Sequence, residues 1–181
     1  SGVWTLDMSP YVITGDVWVY DSLFIEPGVE VELYGDDINF NVYGSLSAVG
    51  TEQDSIFFRG GNRIYLSPGT YSEWDDSLYI YTPDIVHLSY VDVSDVRYLY
   101  FAGYNGGHTD IDHSHFSGAE HINFGDFYDG YEDCYECNQV VVTESIFDDY
   151  NNFYASWISR EDGVIINNTV LNPGDNAWSG L

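Results

Sequence analysis

Lysine is absent from this chain of 181 residues, and the positive charge that remains is small. Arginine supplies all 4 basic residues against 30 aspartates and glutamates, for a formal net charge of −26. A surface this negative repels phosphate backbones and anionic head groups, so we expect no nucleic-acid partner and no binding to acidic membranes. Counterions relieve the same self-repulsion, which predicts a salt-rich or calcium-containing medium.

Long apolar runs and cysteine are also scarce. The apolar stretches are short and interrupted by Asp, Gly and Asn, which excludes a transmembrane helix and predicts no membrane insertion. Two cysteines, Cys134 and Cys137, are too few for a disulfide-rich scaffold. The first residue is Ser1 rather than methionine, which is typical of a mature chain after removal of a signal peptide. We therefore expect an extracellular or cell-surface protein.

Residues with high helix propensity are few, whereas Val, Ile, Tyr, Phe and Trp are abundant, which favours an all-β fold. An internal repeat indicates a solenoid rather than a sandwich or a barrel. Four segments align without gaps, and each carries two apolar anchors five residues apart. The segments are IVHLSYVDVSD from Ile85, HTDIDHSHFSG from His108, QVVVTESIFDD from Gln139 and GVIINNTVLNP from Gly163.

The first anchors of the four segments are separated by 23, 31 and 24 residues. These anchors, predicted to stack as one interior column, are Leu88, Ile111, Val142 and Ile166. The longer spacing predicts a loop inserted at residues 128–138. Residues 1–181 are thus predicted to form a single right-handed parallel β-helix of about seven rungs. Its N-terminal rungs are expected at 1–58 and its regular rungs at 85–173.

The N-terminal part carries a run of motifs, namely SLFIEPG from Ser22, VYGSLSAVGT from Val42 and SIFF from Ser55. This run resembles the opening rungs of right-handed parallel β-helix proteins of the pectate-lyase-like superfamily, whose pattern is L-x-I-x-P-G, V-x-G-x-L-x-A-x-G-T and I-x-F. The strong likeness covers residues 12–58. It implies the fold but not the chemistry, because such rungs occur in enzymes, adhesins and surface-layer proteins alike.

Enzymes of that superfamily use an Arg or Lys base beside acidic calcium ligands, or paired aspartates beside a histidine and a basic motif. The counterparts here are Asp148 and Asp149 at a predicted rung corner, with Arg97 or Arg160 as base. No His-Gly or Arg-x-Lys motif accompanies them, and an acidic substrate would meet a strongly negative surface. We therefore favour a solvated turn at Asp148 and Asp149 over a catalytic pair.

Four of the five histidines lie between residues 108 and 121, which suggests a zinc or copper site that includes His113 and His115. The repeat alignment favours cross-rung pairs of opposite charge instead. It places His87 beside Asp110, Asp92 beside His115, and His113 beside Glu144. Such histidines would have raised pKa values, and the stack of rungs would weaken as they lose their protons.

Other polar residues give less specific expectations. Ca²⁺ is the cofactor that the acidic turns suggest, with a general acidic solvation shell as the alternative; the candidate ligands are Asp36, Asp37, Asp75 and Asp76. Cys134 and Cys137 are expected to form a local disulfide, with a share in a metal site as the alternative. Asn167 begins a lone glycosylation sequon, and a ladder of stacked asparagines explains it equally well.

The 17 tyrosines and 5 tryptophans exceed what the core of a small solenoid needs, so some are expected at the surface, where rings bind sugars and protein partners. We expect a non-catalytic structural or adhesive module. The alternative is a carbohydrate-active β-helix that cleaves or binds polysaccharide. Because residues 172–181 are too few to cap the last strand edges, we also expect copies to stack end to end into a fibre, with Trp4 and Trp178 at the joint.

Overall fold

The structure is a computed structural model that describes residues 1–69, 84–102, 107–124, 139–155 and 163–180. The strands form a sheet of seven and a sheet of twelve, and the larger sheet has two arms joined through one long strand, which we call the second and third sheets. Each turn of the chain, or rung, adds one strand, or one part of a long strand, to each of these three, and the strand pairs are parallel. The first sheet has seven strands, one from each rung. The predicted all-β parallel solenoid of about seven rungs is therefore confirmed.

The strands are short and are separated by turns rich in Gly, Pro, Asp and Asn. They are β1 (Gly2–Trp4), β2 (Tyr11–Ile13), β3 (Val17–Val19), β4 (Ser22–Ile25), β5 (Glu30–Leu33), β6 (Asn39–Val42), β7 (Ser45–Val49), β8 (Ile56–Arg59), β9 (Arg63–Leu66), β10 (Ile85–Ser89), β11 (Val91–Ser94), β12 (Tyr98–Phe101), β13 (His108–Asp112), β14 (His115–Ser117), β15 (His121–Phe124), β16 (Gln139–Thr143), β17 (Ile146–Ala155), β18 (Gly163–Asn167) and β19 (Val170–Gly180).

Successive strands along the chain belong to the first, second and third sheet in turn. The first sheet contains β1, β4, β7, β10, β13, β16 and β18. The second contains β2, β5, β8, β11, β14 and the beginnings of β17 and β19, and the third contains β3, β6, β9, β12, β15 and the ends of β17 and β19. The long strands β17 and β19 therefore run through the corner between the second and third sheets.

The register of the first sheet matches the sequence alignment residue for residue, since the first residues of the four aligned segments are direct partners. Leu88, Ile111, Val142 and Ile166 consequently lie in one inward column. The first three are buried and Ile166 is half buried against the core. The loop predicted at 128–138 lies outside the described residues.

Phenylalanine packing fills the middle of the solenoid. Phe116 and Phe147 stack with ring centroids 4.8 Å apart, and Phe101 and Phe124 stack at the same separation. The two stacks meet edge to face, with 5.6 Å between Phe101 and Phe116. All four side chains are fully buried, and each such burial contributes about 1.5 to 3 kcal/mol to folding.

The V-x-G-x-L-x-A motif follows from the shape of a rung. Val42, Leu46 and Ala48 point inward and are buried. Gly44 lies at the corner before β7, where a Cβ atom would collide with the backbone carbonyl of Asp21 in the rung below. The motif therefore records a close approach of two backbones, which only glycine permits.

The corner between the first and second sheets is a single left-handed residue in four successive rungs. We call these four residues the corner ladder; they are Tyr90, His113, Glu144 and Asn168, with φ between 46° and 50°. This conformation is costly for residues other than glycine. Hydroxyl side chains offset part of that cost, because Ser114 Oγ donates to the Asp112 carbonyl (2.8 Å) and accepts from the Val91 N–H (3.2 Å).

The two end rungs are less buried than the middle. Trp4 stacks on Tyr11 at 4.8 Å and tilts against Phe40 at 5.9 Å, so its ring is half buried within its own chain. A short 3₁₀ helix, Leu6–Met8, follows it. Leu171 in the last described rung continues the inward column of Phe147 and is 41% exposed. The backbone of Trp178 pairs with β17, and its side chain lies outside the described residues.

Candidate functional site

The outer surface of the third sheet differs in composition from the rest of the chain. Its described strands, VWV, NFNV, RIYL, YLYF and HINF, contain no aspartate or glutamate, although the chain has 30. Alternate residues of each strand, chiefly aliphatic and phenylalanine, point into the core. The outward positions therefore present aromatic rings, asparagines and one arginine.

Eight rings form a continuous band on this surface from the first rung to the sixth. We call the band the aromatic stripe; it consists of Trp18, Tyr20, Tyr43, Tyr65, Tyr98, Tyr100, His121 and Tyr154. Each ring centroid lies 5.1–6.3 Å from the next. At a rung spacing of about 4.8 Å, the band extends about 24 Å along the solenoid axis.

Strand register produces the stripe. Tyr65 on β9 pairs with Tyr100 on β12, and Tyr98 on β12 pairs with His121 on β15. Parallel in-register strands hold such partners one rung apart, so neighbouring rings contact one another. The stripe is thus a consequence of placing aromatic residues at equivalent outward positions in successive rungs.

Several rings of the stripe remain in contact with water. Trp18 is 49% exposed, Tyr20 67% and Tyr154 42%, and the other members are half buried. The rings of Trp18, Tyr20 and Tyr43 are parallel to within 6–11°. Large exposed aromatic surfaces of this kind mark binding sites more often than isolated exposed side chains do.

Polar groups lie within the stripe. The Arg63 guanidinium lies 5.4 Å from the centre of the Tyr65 ring, and its Nη2 donates to Asn41 Oδ1 at 2.9 Å. Arg63 Nε and Asn123 Oδ1 are buried and have no hydrogen-bond partner in the part of the chain that the structure describes. A buried polar atom without a partner costs free energy.

Charge on the stripe is nearly balanced. Arg97 lies over the Tyr98 ring at 4.9 Å and donates from Nε to Glu120 Oε2 at 2.6 Å. Partial burial and the neighbouring Tyr65 raise the pKa of Tyr43, and Arg63 opposes this only in part. The Tyr43 hydroxyl is therefore protonated at neutral pH, so it both donates and accepts hydrogen bonds.

The predicted histidine pairs lie on another surface, around the first sheet and its corner. His113 Nε2 lies 2.6 Å from Glu144 Oε2, and its Nδ1 lies 2.9 Å from Asp112 Oδ2. The His113 ring also stacks on Tyr90 at 4.9 Å. His87 is the backbone partner of Asp110 as aligned, but its Nε2 lies 3.3 Å from Asp112 Oδ1, because the ring leans towards the next carboxylate along the strand.

These contacts shift two pKa values in opposite directions. The hydrogen bond to Asp112 is the main cause of the raised pKa of His113, and Glu144 adds to it. Partial burial alone would raise the pKa of Asp112, but hydrogen bonds from His113, Ser89 and His87 outweigh it and lower that pKa. His113 thus lies between two carboxylates that favour its protonated form, and its contact with Glu144 is the one that the cross-rung alignment predicted.

The remaining candidate residues are dispersed. His115 Nδ1 lies 3.3 Å from Asp92 Oδ2, and its Nε2 lies 3.9 Å from Asp148 Oδ2. Asp149 occupies a left-handed corner with φ of 49°. Arg160 lies outside the described residues, as do Asp75, Asp76, Cys134 and Cys137. The structure therefore brings Asp148 to a histidine and leaves the predicted disulfide as a prediction.

The described acidic metal candidates and the glycan candidate lie in exposed positions. Asp36 and Asp37 lie in an exposed turn between β5 and β6. Within the described ranges, no three His, Cys, Asp or Glu side chains are placed to hold a metal ion. Asn167 is exposed, and its partner in β16 is Thr143 rather than another asparagine, so an asparagine ladder does not explain it.

Sequence reasoning expected exposed aromatic residues but did not locate the stripe. A signal was present: the third segment of each rung lacks carboxylates and alternates an inward aliphatic or Phe side chain with an outward ring or amide. The corner ladder had a weaker signal, a Ser or Thr one residue after the left-handed position in Ser114, Ser145 and Thr169.

No protein-family model matches the chain, and neither the curated proteins nor the solved structures give a match. Across the described residues there is no helix with the length and apolar character needed to cross a membrane. What can be said of function therefore depends on the chain's own side chains and on the composition of its surfaces.

Proposed function

We propose that this chain is a non-catalytic adhesive module, extracellular or attached to the cell surface, that binds polysaccharide along the aromatic stripe. The observation that carries the proposal is the exposure of Trp18 and Tyr20 beside sheet strands that contain no carboxylates, in a chain whose net charge is −26. Tyrosine and tryptophan offer large, rigid contact areas at a low cost in conformational entropy, with polar atoms for hydroxyl groups.

The polar atoms of the stripe suit a sugar. Asparagine amides, tyrosine hydroxyls and a guanidinium provide donors and acceptors beside the rings, as in sites that combine apolar contact with a few placed polar groups. A linear polysaccharide presents the matching set, apolar C–H surfaces alternating with hydroxyl groups.

The arrangement of carboxylates supports adhesion rather than catalysis. Asp112 and Glu144 contact His113, while Asp92 contacts His115, so these carboxylates are engaged by separate histidines and are not gathered in one site. Asp148 and Asp149 lie within β17, where Asp149 adopts the left-handed conformation of the corner. We propose that the net negative charge is balanced by salt or Ca²⁺ in the medium, which fits an extracellular location.

Kinship with the pectate-lyase-like β-helices is part of the proposal. It is supported by the motif run at 22–58, and in particular by the tight corner at Gly44. The shared feature is the scaffold, and the aromatic stripe is this chain's own use of it.

The test is binding of the chain to a panel of soluble polysaccharides by affinity gel electrophoresis and calorimetry. The double variant Trp18→Ala/Tyr20→Ala should weaken binding at least about tenfold, since buried aromatic anchors carry most of an interface's energy. The matched control is Tyr34→Ala, whose ring is 73% exposed on a turn away from the stripe and should leave binding unchanged. Equal binding by the double variant and the native chain would refute the proposal.

End-to-end stacking of copies is a second candidate, favoured by one observation. Leu171 lies in the inward column of a rung yet is 41% exposed, so a further rung placed on it would bury apolar surface. Sedimentation at high protein concentration, with salt and Ca²⁺, should then show assemblies that Leu171→Asp dissolves. A monomer throughout that range would exclude self-stacking and leave the polysaccharide proposal in place.

A further inference from the structure

Resting on the proposed function, we infer that the polysaccharide bound by the aromatic stripe is an uncharged linear chain that lies parallel to the solenoid axis. Three features of the stripe carry this inference: the direction in which its rings follow one another, the charge that surrounds it, and the contacts of its one arginine without an acidic partner.

The order of the strands sets the direction in which a ligand on the stripe must lie. The rings step from rung to rung, from Trp18 to Tyr43 at 6.0 Å, from Tyr43 to Tyr65 at 5.7 Å and from Tyr65 to Tyr100 at 6.1 Å. Rungs succeed one another along the axis, about 4.8 Å apart, whereas a single strand of this sheet has only three or four residues. A ligand that contacts the whole stripe must therefore run across the strands.

The charge around the stripe disfavours a polyanion. Glu120 lies beside the stripe and neutralises Arg97, and Asp16 borders its first rungs, with Oδ1 2.9 Å from the Asn39 backbone N. The chain as a whole carries 30 acidic groups against 4 basic ones. At moderate salt the Debye length is about 10 Å, so a bound polyanion would be repelled by the bordering carboxylates as well as by the net charge.

Arg63 is placed to donate hydrogen bonds rather than to neutralise an acid. Its Nη2 already donates to Asn41, its guanidinium lies over the Tyr65 ring, and its Nε is buried without a partner in the described residues. A guanidinium fixed by an amide and a ring presents its other N–H groups in a set direction. Hydroxyl groups of a neutral sugar accept such bonds without bringing a second charge to the surface.

The test compares polysaccharides that share a backbone and differ in charge. The probes are hydroxyethylcellulose against carboxymethylcellulose, and dextran against dextran sulfate, each titrated into the native chain at low and high salt. The neutral member of at least one pair should bind, and its charged counterpart should bind at least about tenfold more weakly at 0.01 M salt. That ratio should shrink towards one at 1 M, where the Debye length is about 3 Å.

Arg63→Gln sharpens the result, because glutamine keeps an amide donor and removes the charge. For a neutral ligand the substitution should weaken binding by about fivefold or less and should not change its dependence on salt. The matched control is Arg59→Gln, since Arg59 lies over Phe57 on the second sheet at 5.0 Å and away from the stripe. Both variants keep the strand pattern, so their folding can be checked by circular dichroism.

The outcomes separate the inference from the proposed function. Tighter binding of the charged polymers overturns the neutral-ligand inference and leaves polysaccharide binding standing. The same holds if Arg63→Gln abolishes binding and high salt abolishes binding by the native chain to the same extent. Binding to the neutral polymer that Trp18→Ala/Tyr20→Ala leaves intact refutes the stripe as the site. Absence of binding to every polymer of the panel refutes both.

Discussion

Two outer surfaces of the same solenoid differ in the contacts that their polar groups make. Around the first sheet and the corner ladder, histidines contact carboxylates, and His113 lies between Asp112 and Glu144 at 2.9 and 2.6 Å. On the third sheet, strands β3, β6, β9, β12 and β15 contain no carboxylates, rings are exposed, and Arg63 Nε and Asn123 Oδ1 have no partner among the described residues. Paired groups stabilise the rungs, whereas the exposed rings of the stripe are available to a ligand.

This difference matters because a net charge of −26 would otherwise suggest that every surface is a solvated acidic shell. The chain concentrates its acids away from one surface and uses histidines to compensate others. We call the surface around the first sheet and the corner ladder the paired surface. If the comparison is correct, changes to the paired surface should alter stability, and changes to the stripe should alter binding alone. The predictions below test that division, in order of decreasing effect.

The largest effect is expected from the core that both surfaces share. Phe147→Ala removes a fully buried ring that stacks on Phe116 at 4.8 Å, so it should lower the free energy of unfolding by about 3 to 5 kcal/mol. Urea unfolding followed by circular dichroism measures the change. Phe24→Ala, which truncates a 43% exposed ring on the outer surface of the first sheet, is the control and should cost far less.

A smaller effect is expected at the corner that positions the ladder. Ser114→Ala leaves the Val91 N–H without its acceptor and removes the bond to the Asp112 carbonyl, which should cost about 1 to 3 kcal/mol. The control is Ser47→Ala on the outer surface of β7, where a change below about 0.5 kcal/mol is expected. If both variants unfold at the same urea concentration, the hydroxyl does not support the left-handed corner.

The paired surface should also make stability depend on pH. Because the pKa of His113 is raised in the folded chain, its contribution is complete below its ordinary value of 6.5 and is lost as pH rises through the folded pKa. Because the pKa of Asp112 is lowered, its contribution is complete above 3.8 and is lost as pH falls through the folded pKa. The melting temperature should therefore be highest between about pH 4 and 6.5.

His113→Asn tests this pH dependence, because asparagine tolerates the left-handed corner but does not titrate. The alkaline fall in melting temperature should become shallower in the variant, while the double variant Trp18→Ala/Tyr20→Ala should keep the native profile. An unchanged alkaline limb in His113→Asn would show that the ladder contributes little to stability.

The fold was largely predictable from sequence, and the site was not, for a physical reason. Inward positions such as Leu88 and Ile111 repeat because every rung needs an apolar residue there, so their spacing shows in one sequence. Outward positions are constrained only by their neighbours in adjacent rungs. Tyr65 and Tyr100 are 35 residues apart and become neighbours through the register of β9 and β12. That register could not be read from the sequence, because the N-terminal motif run ends at residue 58 and the aligned segments begin at Ile85.

The orientation of the His87 ring is a smaller example of a feature that the sequence does not predict. The alignment paired it with Asp110, and the backbone register agrees, yet its ring contacts Asp112 two residues along the strand. Sequence alignment predicts which residues are level with one another across rungs. It does not predict side-chain torsions, which here follow the carboxylate that also accepts from Ser89 Oγ at 2.9 Å.

The smallest effect is expected where an unpartnered polar atom lies inside the solenoid instead of on the stripe. Thr109 Oγ1 is buried and has no hydrogen-bond partner in the described residues, and Thr109 stands in the inward column between Val86 and Val140. Thr109→Val replaces the hydroxyl with a methyl group of similar shape and should raise the free energy of unfolding by up to about 1 kcal/mol. The reverse change, Val86→Thr, should lower it. Neither should alter polysaccharide binding, because no ligand reaches the core. An unpartnered atom therefore indicates a binding site only where a ligand can approach it, and loss of binding in Thr109→Val would contradict that distinction.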